Sequence, residues 1–437
     1  MERPNTLVGL SLELLRRRGS LRAARPLLVA LAALSGVALV ARAPRRPGAP
    51  PPVDAALSAW RAAPFDGDVA FVDASVVATP GGWLLAWTRW PRRGSPRVQV
   101  AVLARDGSLR GAPRTLSADR TWARGPALSR QGDRVAVSWT AMSEDDASYA
   151  RRPWIAVVDA DLRELVAPRA LVASNELSLG VSIASDGQGW GVAWDAYNKR
   201  GRALCLARVG TDGALRGPVT RVADPSEGML PSLAWSGDAW FVAERWINHE
   251  RVRSGLLLRW FDRGGALVET QRVASSLGDG GGVQVFARGA TSWLSWGDDG
   301  AFSARHDPRF ARVEGRRVVA GPRVQGPRRS GSVASVVCTG ASSCVSAWVG
   351  VADDRDEPTA LQVQALDGDG AARGPVRRIG PPAPVVRVGS VGLAYAVDER
   401  DAMAVWTLGE GDGYRIMRVR LDANGAPMGE PAVLPLP

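Results

Sequence analysis

A repeat of about 50 residues constrains this chain more than any other feature of its sequence. A short apolar segment recurs, as in GGWLLAW, GDRVAVSW and GQGWGVAW, and six of its seven copies end in tryptophan. The copies are 52, 55, 50, 52, 52 and 58 residues apart, because they end at Trp87, Trp139, Trp194, Glu244, Trp296, Trp348 and Trp406. A period of this length indicates a fold built from similar units, each packed against its neighbours.

Each unit has the pattern of four short β-strands. The second strand ends in the tryptophan and carries apolar residues at alternating positions, such as Val135 and Val137. After the third strand comes a turn such as Asp106-Gly107, which supplies the positive φ of a tight hairpin. The fourth is rich in proline and arginine, which suits an exposed edge. The pattern predicts an all-β, seven-bladed β-propeller over residues 69–437, closed by packing of the first blade against the last.

Two recurring elements, G-x-x-W-x-V-x-W and D-x-x-G-x-x-x-x-x-P, give the chain a resemblance to a known group of proteins. It resembles the uncharacterised exported β-propeller-like repeat proteins that are common in myxobacteria and other high-GC bacteria. The resemblance covers roughly residues 69–437 and implies a propeller fold and an exported location, with no particular activity. One departure is Glu244, which replaces the tryptophan of the fourth unit. We expect Glu244 to pair with an arginine while Trp246 takes over the packing.

Residues 1–43 are predicted to be a signal peptide or a signal anchor. An apolar run of 15 residues, 27–41, follows an arginine-rich segment, which is the layout of a targeting sequence. Proline at position 44 disfavours cleavage after the small-residue triplet that precedes it, so an uncleaved membrane helix is the preferred reading and a cleaved leader the alternative. The arginines before the run place the body outside the cytoplasm. Residues 44–68 are predicted to be a proline-rich linker, and the propeller to be periplasmic or at the cell surface.

The net charge of +11 does not indicate a nucleic-acid partner. The chain has 55 basic and 44 acidic residues, but residues 1–46 alone hold nine arginines and two glutamates, a net of +7. The other residues therefore carry only +4. A phosphate-binding surface needs a concentrated basic stripe on the folded body, so we expect no nucleic-acid binding.

The cysteine and histidine content excludes a tetrahedral zinc site, since the chain has three cysteines and two histidines. The acidic segments 365–371 and 421–426 are too short for a twelve-residue calcium loop and are predicted to be turns. We therefore predict no metal and no cofactor. Cys338 and Cys344 flank a predicted hairpin turn, where a disulfide can form in an exported protein, the alternative being two buried thiols. Cys205 is predicted to be a core residue.

Ligands usually bind propellers on the face that carries the loops between second and third strands and between successive blades. Those loops are mixed in charge and carry aromatic residues and a histidine: Trp90, Tyr149, Tyr197, Trp246 and His249. Such a rim suits recognition of a protein, a peptide or a glycan. The alternative is that these loops are merely solvated.

These observations favour a monomeric, non-catalytic binding or scaffolding module of the cell envelope, with an envelope protein, peptide or glycan as its partner and the membrane contacted through the N-terminal segment. The alternative is an exported hydrolase or lyase that acts on a polysaccharide at the central mouth of the propeller. Candidate acid–base groups for it are Asp145 with Asp146, Asp353 with Asp354, and His249 with Glu250. None of these pairs forms a specific motif, so the sequence assigns no catalytic residue.

Overall fold

The computed structural model describes residues 69–91, 93–144, 150–173, 176–198, 201–224, 229–248, 253–276, 282–298, 307–326, 334–340, 342–350, 359–383, 388–396, 401–410 and 413–436. The predicted leader, 1–43, and the linker, 44–68, lie outside these residues. Within the described ranges, no helix has the length and apolar character needed to cross a membrane.

The described residues form 28 strands in seven consecutive groups of four. The first three blades are β1 (Val69–Thr79), β2 (Gly82–Pro91), β3 (Arg97–Ala104), β4 (Leu109–Thr115); β5 (Thr121–Gln131), β6 (Arg134–Ser143), β7 (Arg152–Asp159), β8 (Glu164–Ala170); and β9 (Val181–Ser185), β10 (Gly189–Asn198), β11 (Gly201–Gly210), β12 (Thr220–Asp224).

The remaining four blades follow in the same order. They are β13 (Met229–Trp235), β14 (Trp240–Asn248), β15 (Arg253–Phe261), β16 (Leu267–Ser276); β17 (Val283–Arg288), β18 (Thr291–Asp298), β19 (Asp307–Glu314), β20 (Arg317–Val324); β21 (Ser335–Gly340), β22 (Ser343–Val349), β23 (Thr359–Leu366), β24 (Arg377–Ala383); and β25 (Val388–Ala396), β26 (Asp401–Glu410), β27 (Gly413–Leu421), β28 (Ala432–Val433).

The strands of each blade pair antiparallel in chain order, which confirms the seven-bladed propeller of four-stranded sheets. The first strand of every blade contacts the first strand of the next, and β25 contacts β1, so these seven inner strands line a central channel. We call the face at which the inner strands begin the front face. The opposite face, where first strands turn into second strands and third strands into fourth, is the back face.

The apolar core lies between blades, because the second and third strands bury both of their faces. The tryptophans that end the repeat segment are at most 4% exposed, as predicted for packing residues: Trp87, Trp139, Trp194, Trp296, Trp348 and Trp406. Each indole removes a large apolar area from water, so the repeat stabilises every contact between blades in the same way. The fourth strands are exposed edges, as predicted.

The ring closes by contact between the first and last blades, with no strand exchanged between them. A single parallel bridge joins Ala70 to Tyr414, and an apolar cluster of the two blades surrounds it. On the back face the Arg418 guanidinium donates to the carbonyl oxygen of Asp106, 2.8 Å away. Gly107 has a φ of 81°, and a Cβ there would lie 2.5 Å from the Arg418 Nη1. Glycine is therefore required both for the turn and for the approach of Arg418.

An aspartate marks the turn between third and fourth strands on the back face in six of the seven blades. In each, the aspartate side chain accepts hydrogen bonds from backbone N–H groups two or four residues later, as at Asp106, Asp159, Asp212, Asp262, Asp367 and Asp422. The segments 365–371 and 421–426 are two of these turns, which confirms that prediction. The carboxylates are held by the backbone of their own turn.

Cys338 and Cys344 form a disulfide, as predicted. They lie opposite each other on β21 and β22 with their Cα atoms 3.9 Å apart, and both are fully buried. A disulfide indicates an oxidising compartment, in line with export. Cys205 is a buried core residue, also as predicted, and burial raises the pKa of its thiol to about 12.

Candidate functional site: a charged cavity at the mouth of the ring

A cavity of about 460 Å³ occupies the front half of the central channel. Six of the seven blades line it through the first residues of their inner strands or the residues just before them. The lining is mixed, with backbone, serine hydroxyls, apolar side chains and two charged groups, and includes Asp73, Ser75, Arg124, Ser182, Leu230 and Gln284. We call this space the mouth cavity.

A β-bulge directs Asp73 into the mouth cavity. The pairing of β1 with β2 shifts register between Val72 and Ser75, and Asp73 within this shift has a φ of 54°. Gly125 occupies the equivalent bulge of β5, with a φ of 64°. Glycine tolerates this left-handed conformation readily, whereas an aspartate there is strained. Leu230 has the same φ of 54° in the equivalent bulge of β13, so this conformation belongs to the repeat, and in the first blade it turns a carboxyl towards the cavity.

The environment of Asp73 favours its protonated form. Burial raises the pKa of this carboxyl above its ordinary value of 3.8, and this effect outweighs three opposing ones. The opposing effects are the positive charge of Arg124, a hydrogen bond from the Thr88 hydroxyl to Oδ2 at 3.4 Å, and the backbone N–H of Gly125. The group is therefore a carboxyl that holds its proton to a higher pH than an exposed aspartate.

Arg124 of the second blade lies beside this carboxyl, and Arg151 of the same blade lies near Arg124 and Asp195. Arg124 on β5 lines the mouth cavity, and Arg151 precedes β7 on the front face. Burial and the charge of Arg124 lower the pKa of Arg151 to about 10, while Asp195 opposes this shift. Arg151 remains a cation at neutral pH. The Nε and Nη1 atoms of Arg151 are buried and, among the described residues, have no hydrogen-bond partner.

Asp195 holds the wall of the mouth cavity in place. Its Oδ1 accepts hydrogen bonds from the backbone N–H groups of Leu179 at 2.9 Å and Gly180 at 3.0 Å, and both residues line the cavity. Asp195 itself is fully buried and does not line the space. Thr88 and Thr140 occupy the same repeat position in the first two blades, directly after the tryptophan. Asp195 is therefore a positioning residue, with a charge where those blades carry a hydroxyl.

A second buried charge cluster lies between the third and fourth blades. Glu244, which is fully buried, pairs with Arg202 at 3.4 Å and with Arg259, and both arginines are buried too. Trp246, on the same face of β14, is only 9% exposed. The expectation that Glu244 pairs with arginine while Trp246 packs is confirmed. One carboxylate shared by two buried cations balances the charge inside this blade contact.

Three of the five predicted rim residues are described, and they do not converge. Trp90 is 36% exposed and contacts Trp122 edge to face, with ring centroids 6.3 Å apart. The Tyr197 ring lies 5.4 Å below the Arg202 guanidinium, and the Trp246 ring is covered by Arg272 at 5.1 Å. These side chains belong to three different blades, and a binding role for them stays a prediction.

Several predicted groups fall outside the described residues. Tyr149 and His249 are among them, as are the acid–base candidates Asp145 with Asp146, Asp353 with Asp354, and Glu250. Within the described ranges, no cluster of three or more metal-binding side chains occurs.

Sequence reasoning did not find Asp73, Arg124, Arg151 or Asp195. Aligning the units gives a signal for two of them. Asp73 stands where the next two units have Gly125 and Gly180, and Asp195 stands where three other units have threonine. Nothing local distinguishes Arg124 or Arg151 from other arginines in the chain, because the ring geometry alone places Arg124 in the cavity wall and Arg151 near it in the same blade.

The sequence matches no protein-family model and no curated protein sequence. Solved structures do share its architecture. A prolyl endopeptidase structure aligns with a TM-score of 0.50 at 16% identity, covering 87% of this chain and 51% of that one. Acylaminoacyl peptidase from Pyrococcus horikoshii aligns with a TM-score of 0.47 at 10% identity, covering 85% of this chain and 53% of that one. The β-propeller domain of the Trilobed protease from Pyrococcus furiosus aligns with a TM-score of 0.46 at 10% identity, covering 85% of this chain and 96% of that one. The chain spans about half the length of the first two.

The prediction of a non-catalytic binding or scaffolding module is wrong by these comparisons. The structure that aligns with a TM-score of 0.50 is a prolyl endopeptidase by its name, and its likeness to this chain is a likeness of fold. The mouth cavity itself holds a proton-retaining carboxyl, Asp73, beside one cation, Arg124. At 16% identity or less the likeness establishes the fold, so the reaction has to be inferred from the cavity.

Proposed function

We propose that this propeller is a hydrolase that cleaves a glycosidic bond of a polysaccharide held in the mouth cavity. The observation that carries the proposal is Asp73, a carboxyl group with a raised pKa that a strained bulge directs into the cavity. Perturbed carboxyl groups in central clefts are typical of catalytic acids. The open channel wall, formed by six blades, provides room for a chain of sugars.

In the proposed reaction, the protonated Asp73 donates its proton to the glycosidic oxygen as the bond from that oxygen to the anomeric carbon breaks. A water molecule adds to the anomeric carbon and loses its second proton to solvent, and solvent returns a proton to Asp73. The products are two shorter sugar chains, one with a new reducing end. Asp195 contributes indirectly, by fixing the backbone of Leu179 and Gly180.

The location of this hydrolase is part of the proposal. The disulfide supports an exported protein, as does the resemblance to exported repeat proteins of high-GC bacteria. We propose that residues 1–43 direct export and that an uncleaved apolar run, 27–41, anchors the propeller in the membrane. Mass measurement of the protein recovered from the membrane fraction tests this, since a cleaved leader would give a mass that begins after residue 43.

The release of reducing ends from a panel of neutral and acidic polysaccharides tests the reaction. We expect cleavage by the natural chain and a loss of about 10²- to 10⁴-fold in rate for Asp73→Asn, which keeps the shape of the side chain but cannot donate the proton. Asp401→Asn is the matched control. Asp401 is also a buried carboxylate, but it begins β26 on the back face and pairs with Arg420. Full activity in Asp73→Asn, or cleavage of peptides with no polysaccharide cleaved, contradicts the proposal.

The pH dependence gives an independent check. Because the reaction needs protonated Asp73, kcat should fall as the pH rises through the raised pKa of this group. The Asp401→Asn control should show the same profile as the natural chain. A rate that increases with pH over that range would assign Asp73 the opposite role, that of a base.

A further inference from the structure

The Thr88 hydroxyl connects three strands of two blades at the wall of the mouth cavity. Thr88 lies on β2 and is fully buried. Its Oγ1 donates to Oδ2 of Asp73 on β1, 3.4 Å away, and accepts a hydrogen bond from the backbone N–H of Gly125 on β5 at 3.1 Å. A hydroxyl has one proton, so this proton goes to the carboxyl while a lone pair of Oγ1 takes the Gly125 N–H. Thr88 therefore holds the side chain of Asp73 against the second blade.

The same repeat position has a different partner in the other blades where it is a threonine or an aspartate. In the second blade, the Thr140 hydroxyl donates to the backbone carbonyl of Arg124 at 3.4 Å. In the third blade, Asp195 accepts hydrogen bonds from backbone N–H groups of its own blade. In the seventh, the buried hydroxyl of Thr407 has no hydrogen-bond partner among the described residues. The first blade differs from these three because its hydroxyl holds a carboxyl side chain.

We propose that Thr88 is a positioning residue that fixes which oxygen of Asp73 carries the proton used in cleavage. Thr88 acts here within the hydrolase reaction proposed above, so this inference rests on the proposed function. The hydroxyl is a donor at Oδ2, and two donors cannot face each other in one hydrogen bond, so the proton of the carboxyl lies on Oδ1. Because Asp73 lines the mouth cavity, Oδ1 is the oxygen that presents the proton to a glycosidic oxygen there.

Thr88 also affects the acidity of Asp73. Burial raises the pKa of Asp73, and the hydrogen bond from Thr88 opposes this by favouring the carboxylate. Within the described part of the chain, the charged group that acts on Asp73 is Arg124 of β5, which lowers the pKa too, as does the backbone N–H of Gly125. Loss of the Thr88 hydroxyl should therefore raise the pKa of Asp73 further and remove the preference for a proton on Oδ1.

Thr88→Val tests the proposal, because valine keeps the branched shape of threonine and lacks the hydroxyl. We expect kcat for polysaccharide cleavage to fall about 3- to 10-fold, the effect of losing one long hydrogen bond, and the falling limb of the pH profile to move to higher pH. Thr88→Ser keeps the hydroxyl and should restore both the rate and the profile. Thr407→Val is the matched control, since it removes a buried hydroxyl at the same position of the seventh blade and should change neither. The position of the limb does not depend on how much of a variant folds.

A measurement without turnover separates this proposal from the hydrolase itself. NMR titration of the aspartate carboxyl carbons gives the pKa of Asp73, whose signal is identified by its loss in Asp73→Asn. This pKa should be higher in Thr88→Val than in the natural chain, and unchanged in Thr88→Ser and Thr407→Val.

The outcomes divide cleanly between the two proposals. Cleavage that depends on Asp73, with the same pKa and pH profile in Thr88→Val as in the natural chain, keeps the hydrolase and overturns the role of Thr88. A loss of activity that Thr88→Ser shares in full also overturns it. A raised pKa in Thr88→Val, with no cleavage by the natural chain, rejects the hydrolase and keeps Thr88 as the group that orients the carboxyl of Asp73.

Discussion

Buried charge occurs at two places in this ring, and the two places differ in what balances it. Between the third and fourth blades, Glu244 lies between Arg202 and Arg259, so each cation has an anion in contact. In the mouth cavity, Arg124 forms no salt bridge among the described residues, and the nearby Asp73 favours its neutral form. The blade contact therefore balances each buried cation with an anion, whereas burial at the mouth favours the neutral form of the one carboxyl there.

The difference shows how a repeat fold separates stability from function. The blade contact replaces one tryptophan of the series by Glu244, and the neighbouring Trp246 and two arginines restore the packing. The mouth lies at the front ends of the inner strands, where side chains from six blades meet and no blade-to-blade packing is required. Unbalanced charge is tolerated there because water or a ligand can reach it.

The largest effect on stability is expected from Glu244→Gln. Removing the carboxylate leaves two buried arginines without their anion, which should lower the free energy of unfolding by about 3–5 kcal/mol. Urea unfolding measures it. Glu164→Gln is the control, because Glu164 pairs with Arg114 at 2.7 Å on the surface, where such pairs contribute about 0–1 kcal/mol. Equal losses in the two variants would mean that the blade contact does not depend on its charge cluster.

A smaller loss is expected at a part of the ring that contains neither cluster. Replacing Cys338 and Cys344 by alanine removes a cross-link between residues six positions apart, which should cost about 2 kcal/mol through the added freedom of the unfolded chain. Unfolding with and without reductant measures it. The reductant should destabilise the natural chain and leave the double variant unchanged. A natural chain that is indifferent to reductant under unfolding conditions would contradict this.

The smallest effect has the opposite sign and concerns the mouth. Asp73→Asn should raise the stability at neutral pH by about 1 kcal/mol, because it removes a carboxylate whose charged form burial disfavours. The folded protein binds more protons than the unfolded one between the ordinary pKa of 3.8 and the raised value. The free energy of unfolding of the natural chain should therefore fall as the pH rises through that window. Unfolding curves at several pH values should show this slope in the natural chain and not in the variant.

The repeat made most of the architecture predictable. Alternating apolar residues, the terminal tryptophan and the Asp-Gly turns are local patterns, and each gave the correct strand, core position or hairpin. The disulfide followed from the same reasoning, since Cys338 and Cys344 flank a predicted turn. The pairing of Glu244 was predictable as well, because a carboxylate at a core position of the repeat requires a cation nearby.

The site was not predictable in the same way. The sequence directed attention to aromatic loop residues such as Trp90 and Trp246, whereas the cavity is lined by inner-strand residues such as Asp73 and Arg124. The bulge that re-aims Asp73 is visible in the sequence only as an aspartate at a position where three other units have glycine. The choice of a binding module over a hydrolase was wrong because it relied on the loops alone.

The sequence by itself determined the number of blades, the strand order, the core tryptophans and the disulfide, because each of these depends on residues close together in the chain or on a fixed repeat period. Only the tertiary structure decided which charges meet. Asp73 and Arg124 are 51 residues apart, and Asp195 is farther still from both. Closing seven blades into a ring brings their inner strands to one channel, where burial and neighbouring charge set the chemistry of each group.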